Sequence, residues 1–108
     1  MYTVRMWVPN RRGRADLHLS NPDIRDTSVV HISVSEASPL GAASLLVDGV
    51  VQPFRPVFGS ASITVQNISV RAGGVDFYIF VDSLNPLNIV ADITIFDPPA
   101  GSGIVIGS

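Results

Sequence analysis

The stretch Val75-Asp76-Phe77-Tyr78-Ile79-Phe80-Val81-Asp82, then Ser83-Leu84-Asn85-Pro86, then Leu87-Asn88-Ile89-Val90-Ala91-Asp92-Ile93-Thr94-Ile95-Phe96 carries the clearest pattern in the chain. Apolar residues recur at every second position on both sides of a polar, proline-containing turn. Successive strand side chains point to opposite faces, so this period of two makes each run a β-strand with one buried face. Val75, Phe77, Ile79 and Val81 share a direction with Leu87, Ile89, Ala91, Ile93 and Ile95, and these nine form the expected core. The short turn implies a hairpin in which Ile79 pairs with Ala91, Tyr78 with Asp92 and Asp82 with Asn88. Slipping that register by one pair sets Asp76 against Asp92, a repulsive arrangement.

Working outward, the same period recurs. Tyr2, Val4, Met6 and Val8 alternate with Thr3, Arg5 and Trp7, and Ala15, Leu17 and Leu19 alternate with Asp16, His18 and Ser20. Pro9-Asn10-Arg11-Arg12-Gly13 between them reads as the turn of a second hairpin. Val29 to Ser35 is a further strand with Val30, Ile32 and Val34 on one face, ended by Ser38-Pro39-Leu40-Gly41. Asp48-Gly49 between Leu46-Val47 and Val50-Val51 is a strong hairpin signal that predicts two short strands. Pro53 and Pro56 restrict the next stretch to irregular structure or an edge strand. From Ala61 to Val70 the apolar phase slips at Gln66-Asn67, which marks a bulge or bend. Pro98-Pro99 stops the last long strand, and residues 101–108 hold only Ile104-Val105-Ile106, a short edge strand or a mobile tail.

This sums to one all-β domain over residues 1–108, with roughly seven or eight short strands and no sustained helical period. An antiparallel β-sandwich, Ig-like or jelly-roll-like, is the architecture that such spacing predicts. The Cys and Trp landmarks of antibody domains are missing.

Composition narrows the function. The chain has 108 residues, 46% of them hydrophobic and 15% charged, with a net charge of −2. Without cysteine it has no thiol nucleophile, cysteine-ligated metal or disulfide. All seven basic residues are arginine and nine acids oppose them, so no net field draws in nucleic acid or anionic lipid. The alternation after Met1 does not resemble a signal peptide, and no apolar run is long enough for a spanning helix. The expectation is a cytoplasmic protein or a domain excised from a longer one.

Several groups invite chemistry. His18, His31 and Asp16 lie on the polar faces of neighbouring strands and would supply metal ligands, though at no recognised spacing. Ser33 and Ser35 beside His31 suggest a Ser-His pair, but the strained elbow that aims a serine nucleophile is absent. Asp23 and Asp26, and Asp82, Asn85 and Asn88, form oxygen-rich turns that suit calcium or simply Asx turns. Arg11-Arg12-Gly13-Arg14 is either an anion grip or a charged tip that guards a sheet edge. Trp7 beside Arg5 offers a stacking platform if it is exposed. Tyr78, Phe80, Val90 and Phe96 would make an apolar patch on the solvent face of the last hairpin. The patch is either a subunit interface or covered by the Pro53 to Phe58 segment.

The reading that follows is a non-enzymatic, self-associating interaction module without a cofactor or resident metal. Its expected binding surface is Arg5, Trp7, Asp16, His18 and His31, and its expected interface is Tyr78, Phe80, Val90 and Phe96. A lectin-like carbohydrate-binding protein, calcium-assisted in one version, is the alternative; a small metal-dependent or Ser-His hydrolase is the third reading. Partners are a second copy of the chain and a carbohydrate or protein ligand, with neither nucleic acid nor membrane.

Overall fold

A computed structural model describes residues 1–39, 45–47, 50–52, 54–97, 103 and 105–107. Among the described residues nine strands follow one another: β1 (Tyr2–Arg11), β2 (Gly13–Ser20), β3 (Val29–Pro39), β4 (Leu45–Val47), β5 (Val50–Gln52), β6 (Phe54–Val57), β7 (Ser62–Arg71), β8 (Gly74–Asp82) and β9 (Leu87–Phe96). They form a four-stranded sheet in the order β1-β9-β3-β6, a three-stranded sheet in the order β2-β8-β7, and the separate β4-β5 pair. All pairings are antiparallel.

The two larger sheets share one core. Val75, Phe77, Ile79 and Val81 from β8 and Ile89, Ala91, Ile93 and Ile95 from β9 are all buried in a single cluster, as the alternation predicts. Leu87 packs against it from the end of β9. Val8, Leu17 and Ile32 join from the neighbouring strands. Ile24, in the loop between β2 and β3, is 1% exposed and caps this core. The loop is held by Asn21 N–H to the Gly73 carbonyl (2.9 Å) and Gly73 N–H to the Ile24 carbonyl (2.8 Å). No spacing pattern marks Ile24, because an isolated apolar residue in a polar turn has no period.

Neither of the two expected hairpins with β9 or β1 forms. β8 does not pair with β9: it lies between β2 and β7, while β9 lies between β1 and β3. Ile79 therefore pairs with Ala15 and Val65, and Ala91 with Met6 and Val34, instead of with each other. The reason lies partly in β7 and β8, where Arg71 pairs with Gly74 around the two-residue loop Ala72-Gly73. Gly73 has φ +89°, a conformation that glycine adopts at little steric cost, and this tight turn claims one edge of β8. Ser83 to Pro86 then carries the chain across to the other sheet. The two apolar rows meet through the core instead of side by side, and each strand has a hydrogen-bonding neighbour on both edges.

β1 and β2 likewise belong to different sheets. Only Arg12 separates them, too little for a hairpin loop, and the register shifts between Val8 and Arg11 with Asn10 at φ 58° and Gly13 at φ 70°. Pro9 to Gly13 is a corner at which one long strand passes between sheets, a known use of bulges.

Other local expectations match. Leu46 pairs with Val51 and Val47 with Val50, although Asp48 and Gly49 themselves lie outside the described residues. Among the described residues β6 is an edge strand paired only with β3; Pro53 lies outside the described residues. β7 shifts register between Gln66 and Ser69, with Asn67 at φ 53°. That bulge keeps Ile63, Val65 and Val70 all directed at the core despite the phase slip. Val105 and Ile106 are exposed and outside any strand. β3, however, runs on through Ser38 and Pro39, where the sequence predicts its end, because these residues pair with Arg55 and Phe54 of β6; Leu40-Gly41, Pro98-Pro99 and Ile104 lie outside the described residues.

Candidate functional site

The five expected binding residues fall on two outward faces. On the four-stranded sheet the core faces Val4, Met6 and Val8, so Arg5 and Trp7 point outward, with Trp7 half-buried. The register places Arg5, Asp92 and Ser33 in one row, Trp7, Val90 and Ser35 in the next, and Thr3, Thr94 and His31 on the other side. Asp16 and His18 lie on the outer face of β2 in the three-stranded sheet, turned away from Arg5, Trp7 and His31 across the core. The two histidines therefore do not approach each other. Among the described residues, no three His, Asp or Glu side chains are grouped to hold a metal ion.

Arg5 is occupied within its own face. Its Nε and Nη2 donate to Asp92 Oδ1 at 2.8 Å and Oδ2 at 2.9 Å, a bidentate pair across β1 and β9. Such a fork satisfies both planar groups and locks the register of the strands that carry them. Thr3 and Thr94 meet through their hydroxyls at 2.8 Å in the adjacent row.

The expected interface residues also separate. Tyr78 and Phe80 face outward from β8, Phe80 at 45% exposure, whereas Val90 and Phe96 face outward from β9 on the other side of the molecule. Val90 is only 2% exposed. The four residues do not make one patch, because the hairpin that would have set them side by side is absent. β6 lies at the edge of the same sheet as β9, beside β3, and Phe58 is fully exposed.

The outer face of β2, β8 and β7 brings more polar groups together than the sequence reading anticipated. Its cross-strand rows are His18, Asp76 and Ser69; Asp16, Tyr78 and Gln66; and Arg14, Phe80 and Thr64. His18 Nδ1 lies 2.7 Å from Asp76 Oδ1, and Arg71 Nε donates to Asp76 Oδ2 at 3.1 Å. An ionised carboxylate only accepts, so the His18 proton in this contact sits on Nδ1. The His18 imidazole and then the Arg71 guanidinium hold the Asp76 carboxyl below its ordinary value of 3.8.

In the next row Arg14 Nε donates to Asp16 Oδ1 at 2.9 Å, and the Arg14 guanidinium carbon lies 3.9 Å from the centre of the Tyr78 ring. The Tyr78 hydroxyl donates to Gln66 Oε1 at 2.9 Å. These groups border a shallow depression of about 170 Å³ lined by Arg14, Asp16, His18, Asn67, Ser69, Asp76, Phe77 and Tyr78. Asp76 stands between Ser69 and His18, so the imidazole is directed at the acid and not at the serine, the reverse of the order that activates a nucleophile.

The Arg11-Arg12-Gly13-Arg14 cluster is largely turned on its own chain. Arg12 Nη1 donates to the Leu84 carbonyl at 2.9 Å, and Arg14 is engaged as above. In the oxygen-rich turns Asn21 Oδ1 accepts from the Asp23 N–H at 2.9 Å, an Asx-type contact, and Asn88 Oδ1 accepts from the Asn10 N–H at 3.1 Å. A second cleft of about 380 Å³ opens at the end of the sheets, lined by residues including Tyr2, Asp23, Arg25, Phe96 and Asp97. There the Tyr2 hydroxyl lies 2.8 Å from Asp23 Oδ2, and that contact with the acid raises the Tyr2 pKa.

Alternation marks no site at Gln66, Asn67, Ser69, Arg71 or Asp76, and it assigns Tyr78 to the expected interface and Arg14 to the arginine cluster. The signal was the pairing around Ala72-Gly73, which aligns the polar row of β7 with that of β8.

The chain matches no protein-family model, and no curated protein or solved structure shows significant similarity to it.

Proposed function

We propose that this chain is a non-enzymatic β-sandwich interaction module of Ig-like or jelly-roll-like type, and that it binds its ligand on the outer face of β2, β8 and β7. The two sheets about one core and the strand that turns a corner between them support the sandwich reading. The depression bordered by Arg14, Asp16, His18, Asp76 and Tyr78 carries the functional reading. It combines an aromatic ring, an imidazole, a guanidinium, two carboxylates and one side-chain amide, a set suited to orienting a polar ligand by hydrogen bonds. Asp16 and His18 remain in the binding surface; Arg5, Trp7 and His31 form a separate outward face. Self-association remains part of this reading, supported by the low charged fraction of 15%.

A lectin-like role is the second reading, favoured by Tyr78 with Gln66 and Asn67 beside it. A sugar ring stacking on Tyr78 must displace Arg14 from the face it covers, so Arg14→Ala tightens sugar binding under this reading. The test is chemical-shift mapping on the isotope-labelled chain with neutral di- and trisaccharides, with and without calcium, and with acidic and basic peptides. Shifts confined to outer-face residues of β2, β7 and β8 are expected with one class. Shifts centred on Trp7 and His31, or none with any class, would overturn the assignment.

A further inference from the structure

The two larger sheets present four edge strands, and three of them are short or interrupted over part of their length. β1 has Pro9 and a register shift between Val8 and Arg11, β6 has only four residues and includes Pro56, and β7 is bulged between Gln66 and Ser69. Short edges, prolines, bulges and charged side chains are how β proteins hinder edge-to-edge association. β2 has only the last of these, with Arg14 and Asp16 paired to each other; its eight residues pair without interruption with β8, and no described strand pairs with its other edge. Its side chains alternate regularly, with Arg14, Asp16, His18 and Ser20 exposed and Ala15 and Leu19 only partly buried against the core.

We infer that β2 pairs antiparallel with β2 of a second copy of this chain, joining the two three-stranded sheets into one six-stranded sheet. This rests on the self-association in the proposed function and names its surface. The charge pattern selects the register. A two-fold axis at Leu17 sets Asp16 opposite His18 of the second copy, His18 opposite Asp16, and Arg14 opposite Ser20. On the core side it sets Leu19 opposite Ala15, so each half-buried apolar residue gains a neighbour. Moving the axis to Asp16 opposes two aspartates and sets Arg14 against His18; moving it to His18 opposes two histidines and removes both acid-imidazole pairs. A shift that moves the axis between residues would place outward side chains opposite inward ones. A carboxylate opposite an imidazole can gain a cross-strand contact, whereas two carboxylates opposite each other weaken the pair.

The test uses the intact chain, whose lack of cysteine gives a clean background for crosslinking. Light scattering over a concentration series is expected to reach twice the 11.5 kDa of one chain. Mixing Asp16→Cys with His18→Cys under oxidation is expected to give a crosslinked dimer. Either variant alone gives far less, because its two sulfurs sit two residues out of register, beyond the Cα separation of about 7 Å that a disulfide tolerates. Asp16→Lys, at an exposed position, is expected to weaken the dimer about tenfold by replacing both acid-imidazole pairs. A dimer that fails to crosslink in the mixture, or is undiminished by Asp16→Lys, would overturn the β2 pairing while leaving self-association by another surface. A monomer throughout the series would overturn both.

Discussion

Replacing Ile93 by alanine tests how the core is assembled. Ile93 is fully buried in the middle of β9, with Val4 and Ile32 as its cross-strand neighbours in the four-stranded sheet and the β8 row across the core. The change removes three carbons, about 2.4 kcal/mol at roughly 0.8 kcal/mol per buried methylene. The cavity left in a core gripped from both sheets, with the loss of a β-branched residue from a strand, raises the expected cost to about 3–4 kcal/mol. For a domain of this size that corresponds to a fall in Tm of roughly 12–30 °C. Urea denaturation monitored by circular dichroism supplies the measurement, with the midpoint falling and the slope unchanged. Thr94→Ala is the paired control, one residue along and on the outer face, where it loses only the hydroxyl contact with Thr3. Its expected cost is under about 1 kcal/mol. Comparable losses from the two variants, or a loss below about 1 kcal/mol from Ile93→Ala, would refute the assignment of inward and outward faces on β9.

Three further outcomes follow from particular contacts. A double-mutant cycle on Arg5 and Asp92 should give a coupling of about 0.5–1 kcal/mol in urea melts, the upper range for a partly exposed but bidentate pair, whereas a cycle on Tyr78 and Asp92 should give none; the opposite ranking would restore the β8-β9 hairpin. Because His18 and Arg71 depress the Asp76 pKa in the folded chain, Asp76 stabilises the fold above the unfolded carboxyl value near 3.8, and this contribution is lost as the pH falls through the lower folded value. Stability curves of the wild type and Asp76→Asn should therefore be separated near pH 6 and converge below about pH 4; a constant gap down to pH 2 would contradict this linkage. Asn67 occupies the left-handed region at φ 53°, so Asn67→Val should cost about 1–2 kcal/mol and Asn67→Gly far less, read as thermal midpoints; equal losses would place the bulge elsewhere.

The polar face of β2, β8 and β7 was only half legible before folding. Asp16 and His18 announce themselves by alternation with Leu17 and Leu19, but their partners Asp76, Tyr78, Gln66 and Arg71 lie far along the chain. Which distant row stands beside them depends on strand order, and no residue spacing within β2 encodes it. The same ignorance placed Arg5 and Trp7 next to His18, since a corner and a hairpin turn both recruit Pro, Asn and Gly.

What the sequence by itself determined was local: the all-β class, most strand positions, the inward rows of β8 and β9, the bulge or bend at Gln66-Asn67 and the confinement of the Pro53 to Pro56 stretch to irregular structure or a sheet edge. Each follows from a period of two or from the backbone preferences of Gly, Pro and Asn, which act within a few residues. Only the tertiary structure decided which strands share a sheet. An inward apolar row is buried equally well beside another row or opposite it, so alternation leaves the partner open. The tight turn at Ala72-Gly73 and the corner at Pro9 to Gly13 settle the matter by giving β8 and β9 two hydrogen-bonded neighbours each and facing them across the core.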